Sequence, residues 1–324
     1  MDLAAFTAPE ARILYQQNIQ SVLHPFGPHA EAVAGLSGVL FYGGGAILLL
    51  VMALTAYALW WPKRGRWASG KRFIVIGGLI FPIVTLSALL VYGFGIARAV
   101  VTPASPADLR IEVTGEQWWW RVRYLDANGA VDFVTANELR IPAGRAVDVI
   151  LKSADVIHSF WVPNLAGKLD MIPGHVKRLR LNADRAGVFR GQCAEYCGGP
   201  HAQMAFYVIA QDAQTFNAWR ESQRRSALQP ADAPTRQGQS LFLASCAACH
   251  TVRGTSAGGT LGPDLTHVGS RMSIGAGILP NNRGALAGWI SSSQHIKPGN
   301  LMPSMNLYSG EELNALAAYL VALQ

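Results

Sequence analysis

Residues 190–204 read RGQCAEYCGGPHAQM, placing two cysteines, a histidine and a methionine in the spacing C-x3-C-x3-H-x2-M. Thiolates, a thioether and an imidazole together make a soft ligand set that suits copper. A mononuclear blue-copper centre would use one cysteine, so Cys193 and Cys197 point instead to bridges between two coppers. Each copper then needs terminal ligands, and His201 and Met204 offer two. A Cys193–Cys197 disulfide is the competing reading, as is a mononuclear site; the disulfide leaves His201 and Met204 idle.

A second cluster is Cys246-Ala-Ala-Cys249-His250, the attachment pattern of a c-type haem. The thiols add to the haem vinyl groups and His250 turns to the iron as proximal ligand. A thioredoxin-like redox pair is the rival, but it would not require His250. For the sixth iron ligand, Met302 in KPGNLMPSM is preferred, with Pro303 holding its loop. Met305 is a nearby competitor, Met272 and His295 weaker ones. Methionine ligation raises the potential, which fits an electron carrier. Gly262 and Pro263, in GPDL, are expected to support the haem pocket.

Two bridged coppers call for a second imidazole, and the chain has eight histidines. His24 and His29 precede the apolar spans, while His250, His267 and His295 belong to the haem region. With His201 already in the cluster, two remain, and His158 in DVIHSFWVP, at the end of an expected strand, is better placed than His175. The backbone carbonyl of Glu195 could complete the second copper's shell.

These groups must be held by three kinds of element. Leu36–Trp61 and Phe73–Ala97 are apolar runs long enough to cross a bilayer as a two-helix hairpin, with Pro82 expected to kink the second. The short loop between them carries Lys63, Arg64, Arg66, Lys71 and Arg72, which places it in the cytoplasm and both chain ends outside. No signal peptide is apparent ahead of the spans. Most of the net charge of +7 is this topology signal, and no nucleic-acid motif accompanies it. From Leu109 the period becomes two, through Ile111, Val113, Val122 and Tyr124, with DANG at 126–129 as a turn. Val147, Val149 and Leu151 form one strand face, 142–144 a turn, and Val176, Leu179 and Leu181 another apolar set. Many short strands over roughly 105–210 predict a Greek-key barrel or sandwich. QTFNAWRESQRR reads as a helix, 228–237 as a linker, and Glu311–Leu323 as a final helix capped by Ser309 with Glu312. The chain thus divides into 1–104 with the spans, a β-domain 105–227, the linker, and an all-α haem domain 238–324.

DVIHSFWVPNLAGKLDMIPG followed by GQCAEYCGGPHAQM resembles subunit II of the haem–copper cytochrome c oxidases. The tail resembles the fused type with a C-terminal class I cytochrome c domain. The resemblance implies a cupredoxin-like domain holding a dinuclear copper centre. His158 and His201 are then its imidazole ligands, Cys193 and Cys197 its bridges, Met204 a weak terminal ligand and Glu195 a carbonyl ligand. It also implies that the Glu195 side chain points toward a magnesium site shared with subunit I. Trp118, in GEQWWWRVRY, matches the tryptophan through which electrons arrive; by composition alone Trp118, Trp119 and Trp120 are equally core or rim aromatics. Two departures stand out: His175 replaces the usual arginine after Pro-Gly, and Val75 stands where many relatives carry a glutamate.

The resemblance implies an electron-transfer subunit of an oxidoreductase complex of the proton-translocating class, which reduces no oxygen by itself. Electrons would pass from haem c to the copper pair and on to subunit I, with subunit III a further neighbour. The donor would be a periplasmic cytochrome c or cytochrome bc1 complex, and the site the periplasmic side of a bacterial inner membrane, in contact with lipid. Two other readings are the dicopper small subunit of a nitric oxide reductase and a periplasmic copper-delivery or sensor protein.

Overall fold

The computed structural model describes residues 18–61, 70–100 and 109–324; Lys63, Arg64 and Arg66 of the basic loop lie outside them. The chain divides into two compact units, one spanning His29–Pro103 and the other comprising Met1–Pro28 and Ala104–Gln324.

The first unit is helical. The helix Pro28–Trp60 has 33 residues and starts ahead of the expected Leu36, because proline suits a first helical turn. At 1.5 Å per residue it reaches about 50 Å, more than the ~30 Å hydrocarbon core of a bilayer. The second run is helical over Lys71–Val75, widens into a π turn at Ile76–Ile80, and continues as Phe81–Val100. That turn lies just before Pro82, which has no amide to give the carbonyl four positions back. Leu48, Leu49, Val84, Leu86, Val91 and Phe94 all face outward. Among the described residues of this unit only Ala30 is buried. Such a surface is stable in lipid and not in water, so the chain is anchored in a membrane.

In the second unit, alternating apolar residues build a two-sheet sandwich. Strands β1 Leu109–Glu116, β2 Trp119–Leu125, β3 Val131–Ala136, β5 Val147–Ser153 and β8 Lys177–Leu181 form one sheet, in the order β3-β2-β1-β5-β8. Strands β4 Glu138–Pro142, β6 His158–Trp161, β7 Leu169–Met171, β9 Gly187–Cys193 and β10 Ala205–Gln211 form the other, ordered β4-β10-β9-β6-β7. The β1–β5 and β4–β10 pairs are parallel and the rest antiparallel, so the chain repeatedly crosses between sheets. This is a cupredoxin-like arrangement. Ile111, Val113, Val122, Tyr124, Val147, Val149 and Leu151 are buried, as the alternation requires. Val176 differs: it precedes β8 and is 62% exposed, so the apolar set of that strand is Leu179 and Leu181.

Helix Ala213–Arg224 follows β10, and its Arg220 and Arg224 both pair with Asp132 on β3. The next helix, Ala233–Ser245, begins inside the stretch expected as a linker. Asp232 and Thr235 form a capping box with proline in the first turn, so residues that look like linker composition are helix-start chemistry. Helices Arg283–Ile296 and Gly310–Ala322 complete the domain, the last capped by Ser309 and Glu312 as expected. Phe242, Leu286, Ile290, Leu316, Tyr319 and Leu320 form its core. A two-residue strand pair, Ser273–Ile274 with Leu279–Pro280, is the departure from an all-helical domain.

Candidate functional site

The end of β9, the following loop and the start of β6 bring the first cluster together. β6 pairs with β9 so that Phe160 faces Cys193, setting His158 beside the thiol. The Cys193 amide donates to the Met204 carbonyl at 2.9 Å, closing the loop that carries Cys197 and His201. The Cys193 and Cys197 sulfurs lie 3.7 Å apart, and both are free thiols. A disulfide would need about 2.05 Å, so that alternative is not the state described. His158 Nδ1 is 3.8 Å from the Cys193 sulfur, and His201 Nδ1 3.4 Å from the Cys197 sulfur. Met204 Sδ is 3.8 Å from Cys197, and the Glu195 carbonyl oxygen 3.2 Å from Cys193. The two arms are thus imidazole–thiol pairs, one beside the Glu195 carbonyl and the other beside the Met204 thioether. His175, the less favoured of the two candidate histidines, is exposed beyond β7.

Electrostatics favour a metal here. Cys197 donates toward Cys193 and, against the opposing effect of burial, holds the Cys193 thiol well below the usual range. A second ionisation would place two negative charges side by side, so Cys193 together with burial pushes Cys197 up. Both can be thiolates at neutral pH only if cations sit between them. Soft, buried and apolar-walled, the donor set fits copper.

Two supporting residues carry no sequence motif. Asp155 Oδ1 lies 2.8 Å from His158 Nε2, orienting the ring so that Nδ1 faces the sulfurs. The i,i+3 spacing in DVIH was the available signal. Gly115 on β1 is the second. A Cβ there would lie 2.7 Å from His158 Cδ2, so the imidazole occupies the space a side chain would need. An isolated glycine within a strand pattern marks such close approach.

The three tryptophans separate clearly. Trp120 is buried in the sandwich core against Phe160 and Phe206, while Trp118 and Trp119 are half-buried. The Trp118 indole N–H donates to the Cys197 carbonyl at 2.9 Å, as does Gln117 Nε2 at 2.8 Å. Trp118 therefore touches the backbone of Cys197.

In the helical domain, helix Ala233–Ser245 ends at Cys246, and Cys249 and His250 follow in a turn. His250 Nδ1 donates to the Pro263 carbonyl at 2.8 Å, so Nε2 carries the lone pair and could hold a metal. Burial pushes this imidazole down and keeps it neutral, as a ligand must be. A Cβ on Gly262 would lie 2.5 Å from the ring, so GPDL supports the histidine by absence of a side chain and by one carbonyl. Met302 is half-buried against the helical core, as is Met305. The Met302 loop is held by more than Pro303: its carbonyl accepts from Ser293 Oγ and Gln294 Nε2, and its amide donates to Asn300. His295 is exposed, and the Met272 amide binds Glu138 of the sandwich.

Residues 130–211 match the family of the cytochrome c oxidase subunit II periplasmic domain, and residues 235–324 match the cytochrome c family. The cytochrome c oxidase subunit 2 of Alkalihalophilus pseudofirmus is 41% identical over 66% of this chain and 61% of its own length. The protein of the same name from Bacillus sp. strain PS3 is 32% identical over 81% of this chain and 77% of its own. Among solved structures, the periplasmic domain of cytochrome oxidase subunit II (CoxB) of Bradyrhizobium japonicum is 34% identical, covering 38% of this chain and 96% of that one, with a TM-score of 0.35. With the relative from strain PS3 matched over 77% of its own length at 32% identity, the chain belongs to the cytochrome c oxidase subunit II family.

Proposed function

We propose that this chain is the electron-transfer subunit of a terminal respiratory oxidase, taking electrons from an external donor and handing them to an oxygen-reducing partner, subunit I. When bound, a dinuclear copper centre and one covalent haem c supply one-electron carriers of low reorganisation. Everything else is the work of the chain. His158, Cys193, Cys197, His201, Met204 and the Glu195 carbonyl hold the copper pair. Cys246 and Cys249 would tether the haem, and His250 and Met302 would hold its iron. The sandwich from Leu109 with its following helix Ala213–Arg224 is the copper domain of this reading, and the chain from the helix Ala233–Ser245 onward is the haem domain. The fixed β6–β9 register and Asp155 keep the donors in place whichever charge the centre carries, so little has to move on electron transfer.

The observation that carries this reading is the pair of free thiols 3.7 Å apart, each with its own imidazole. Exposed Val156, Ile157 and Tyr196 flank the ligands and suit contact with a partner protein. The exposed Glu195 carboxylate is available there for an interface magnesium. Subunit III, a cytochrome c or bc1 donor, surrounding lipid, and a bacterial inner membrane with both termini outside complete the reading. The oxidase name of both relatives favours it over a nitric oxide reductase subunit or a copper-delivery protein.

Metal analysis and electron paramagnetic resonance of the detergent-solubilised full chain test it. Two coppers per iron, with one unpaired electron shared over two copper nuclei, is the expected result. One copper, or none alongside a Cys193–Cys197 disulfide in the assembled protein, overturns it.

A further inference from the structure

Where the haem domain meets the rim of the copper ligand loop lies a cation that the ligand sets do not use. Lys297 is only 2% exposed. It ends helix Arg283–Ile296, its amide donating to the Ser293 carbonyl at 2.9 Å. Its ammonium donates to the carbonyls of Trp118 at 2.6 Å, Gln203 at 2.8 Å and Gly275 at 3.0 Å. Burial pushes this amine down to about 7. Three carbonyl acceptors, however, are matched only by three N–H groups, which the neutral amine lacks. A buried cation is tolerated when its hydrogen bonds are complete, as they are here.

The choice of acceptors matters. Trp118 and Gln203 belong to the copper domain, and Gly275 to the haem domain. Trp118 touches Cys197 through its indole, and Gln203 immediately precedes Met204. Around the lysine the boundary is sewn by further bonds: Gln203 Nε2 to the Ile296 carbonyl at 3.3 Å, and the Ala205 amide to the Ala276 carbonyl at 3.0 Å. A Cβ on Gly299 would lie 3.7 Å from the Trp118 ring, so the turn after Lys297 passes close to that indole.

We infer that Lys297 is a positioning residue: its ammonium, bonded to the Trp118 and Gln203 carbonyls, pins the haem domain with its Met302 loop against the rim of the copper ligand loop. No bond is made or broken in the step it serves. In the proposed function one electron would pass from a haem held by His250 to a copper pair held by Cys193 and Cys197, oxidising the first as it reduces the second, and Lys297 would fix the distance between the residues that hold them. The inference rests on the function proposed above.

The test compares the haem- and copper-loaded full chain with its Lys297→Met variant, an apolar replacement of similar length. Copper resonance and the haem spectrum are recorded first. If the parent lacks the copper pair, the proposed function fails, whereas the pin is still judged by hydrogen exchange and acylation. With both centres intact, rapid mixing should show haem reduction by a small reductant unchanged and haem-to-copper transfer slowed about tenfold or more, since small misplacements cost such factors. Hydrogen exchange should quicken at the Ala205 and Met272 amides, which donate across the boundary. Equal transfer rates and equal exchange would overturn the inference. If the variant fails to assemble, acylation of the parent decides: Lys297 should resist an amine-reactive ester that labels exposed Lys168, and equal labelling would overturn the pin.

Discussion

Replacing Gly115 with alanine should disturb the copper site from the neighbouring strand. The added Cβ would sit 2.7 Å from His158 Cδ2, 2.9 Å from Cγ and 3.2 Å from the histidine Cβ. To restore ordinary contact the ring must retreat about 0.7 Å, or β1 must bend, and overpacking of this kind costs ~1–3 kcal/mol. The imidazole has little room to yield. It is fully buried, Trp120 packs beside it with ring centroids 6.1 Å apart, and Asp155 holds its Nε2 at 2.8 Å. The sign discriminates, because glycine to alanine at a position with room stabilises by about 0.4–1 kcal/mol. Thermal unfolding of the copper-free full chain, followed by tryptophan fluorescence, should therefore fall, by roughly 2–4 °C per kcal/mol. Copper affinity should fall as well, by about 10–100-fold, as for loss of a group that orients a ligand. An unchanged or raised midpoint together with parental copper affinity would refute the close approach between β1 and His158.

Other perturbations separate the roles of neighbouring groups. Asp155→Ala should lower copper affinity by about 10–100-fold while both thiols still titrate with a thiol reagent in the metal-free chain. Met302→Ala should lower the haem reduction potential in an electrochemical titration, whereas Met305→Ala should leave it at the parental value. Gly262→Ala should displace His250 from the Pro263 carbonyl, seen as an altered visible spectrum of the haem with the copper resonance unchanged. Asp132 offers a pH test: its bond to Arg224, then that to Arg220, hold its carboxyl below the ordinary 3.8. A depressed folded-state value means this stabilisation is complete above 3.8 and lost as pH falls through the lower value. Asp132→Asn should thus be less stable than the parent in denaturant at neutral pH, and the gap should close below about pH 3.8.

Much of this protein is local chemistry, and that part is legible in the sequence. Cys193, Cys197, His201 and Met204 share one loop, and Cys246, Cys249 and His250 share one turn, so spacing alone groups them. The apolar spans and alternating strands report directly on the solvent each face meets. Composition misleads where geometry decides: Asp232 and Pro234 look like linker but start a helix, and Val176 looks like strand core but lies outside it. What only the tertiary structure decided is long-range. His158 reaches Cys193 because β6 pairs with β9, 35 residues apart in sequence, and Gly115 reaches His158 because β1 passes beside it. The sequence also left open whether the haem domain docks. Lys297 answers that through carbonyls of Trp118 and Gln203, and backbone carbonyls, which every residue carries, leave no mark in a sequence.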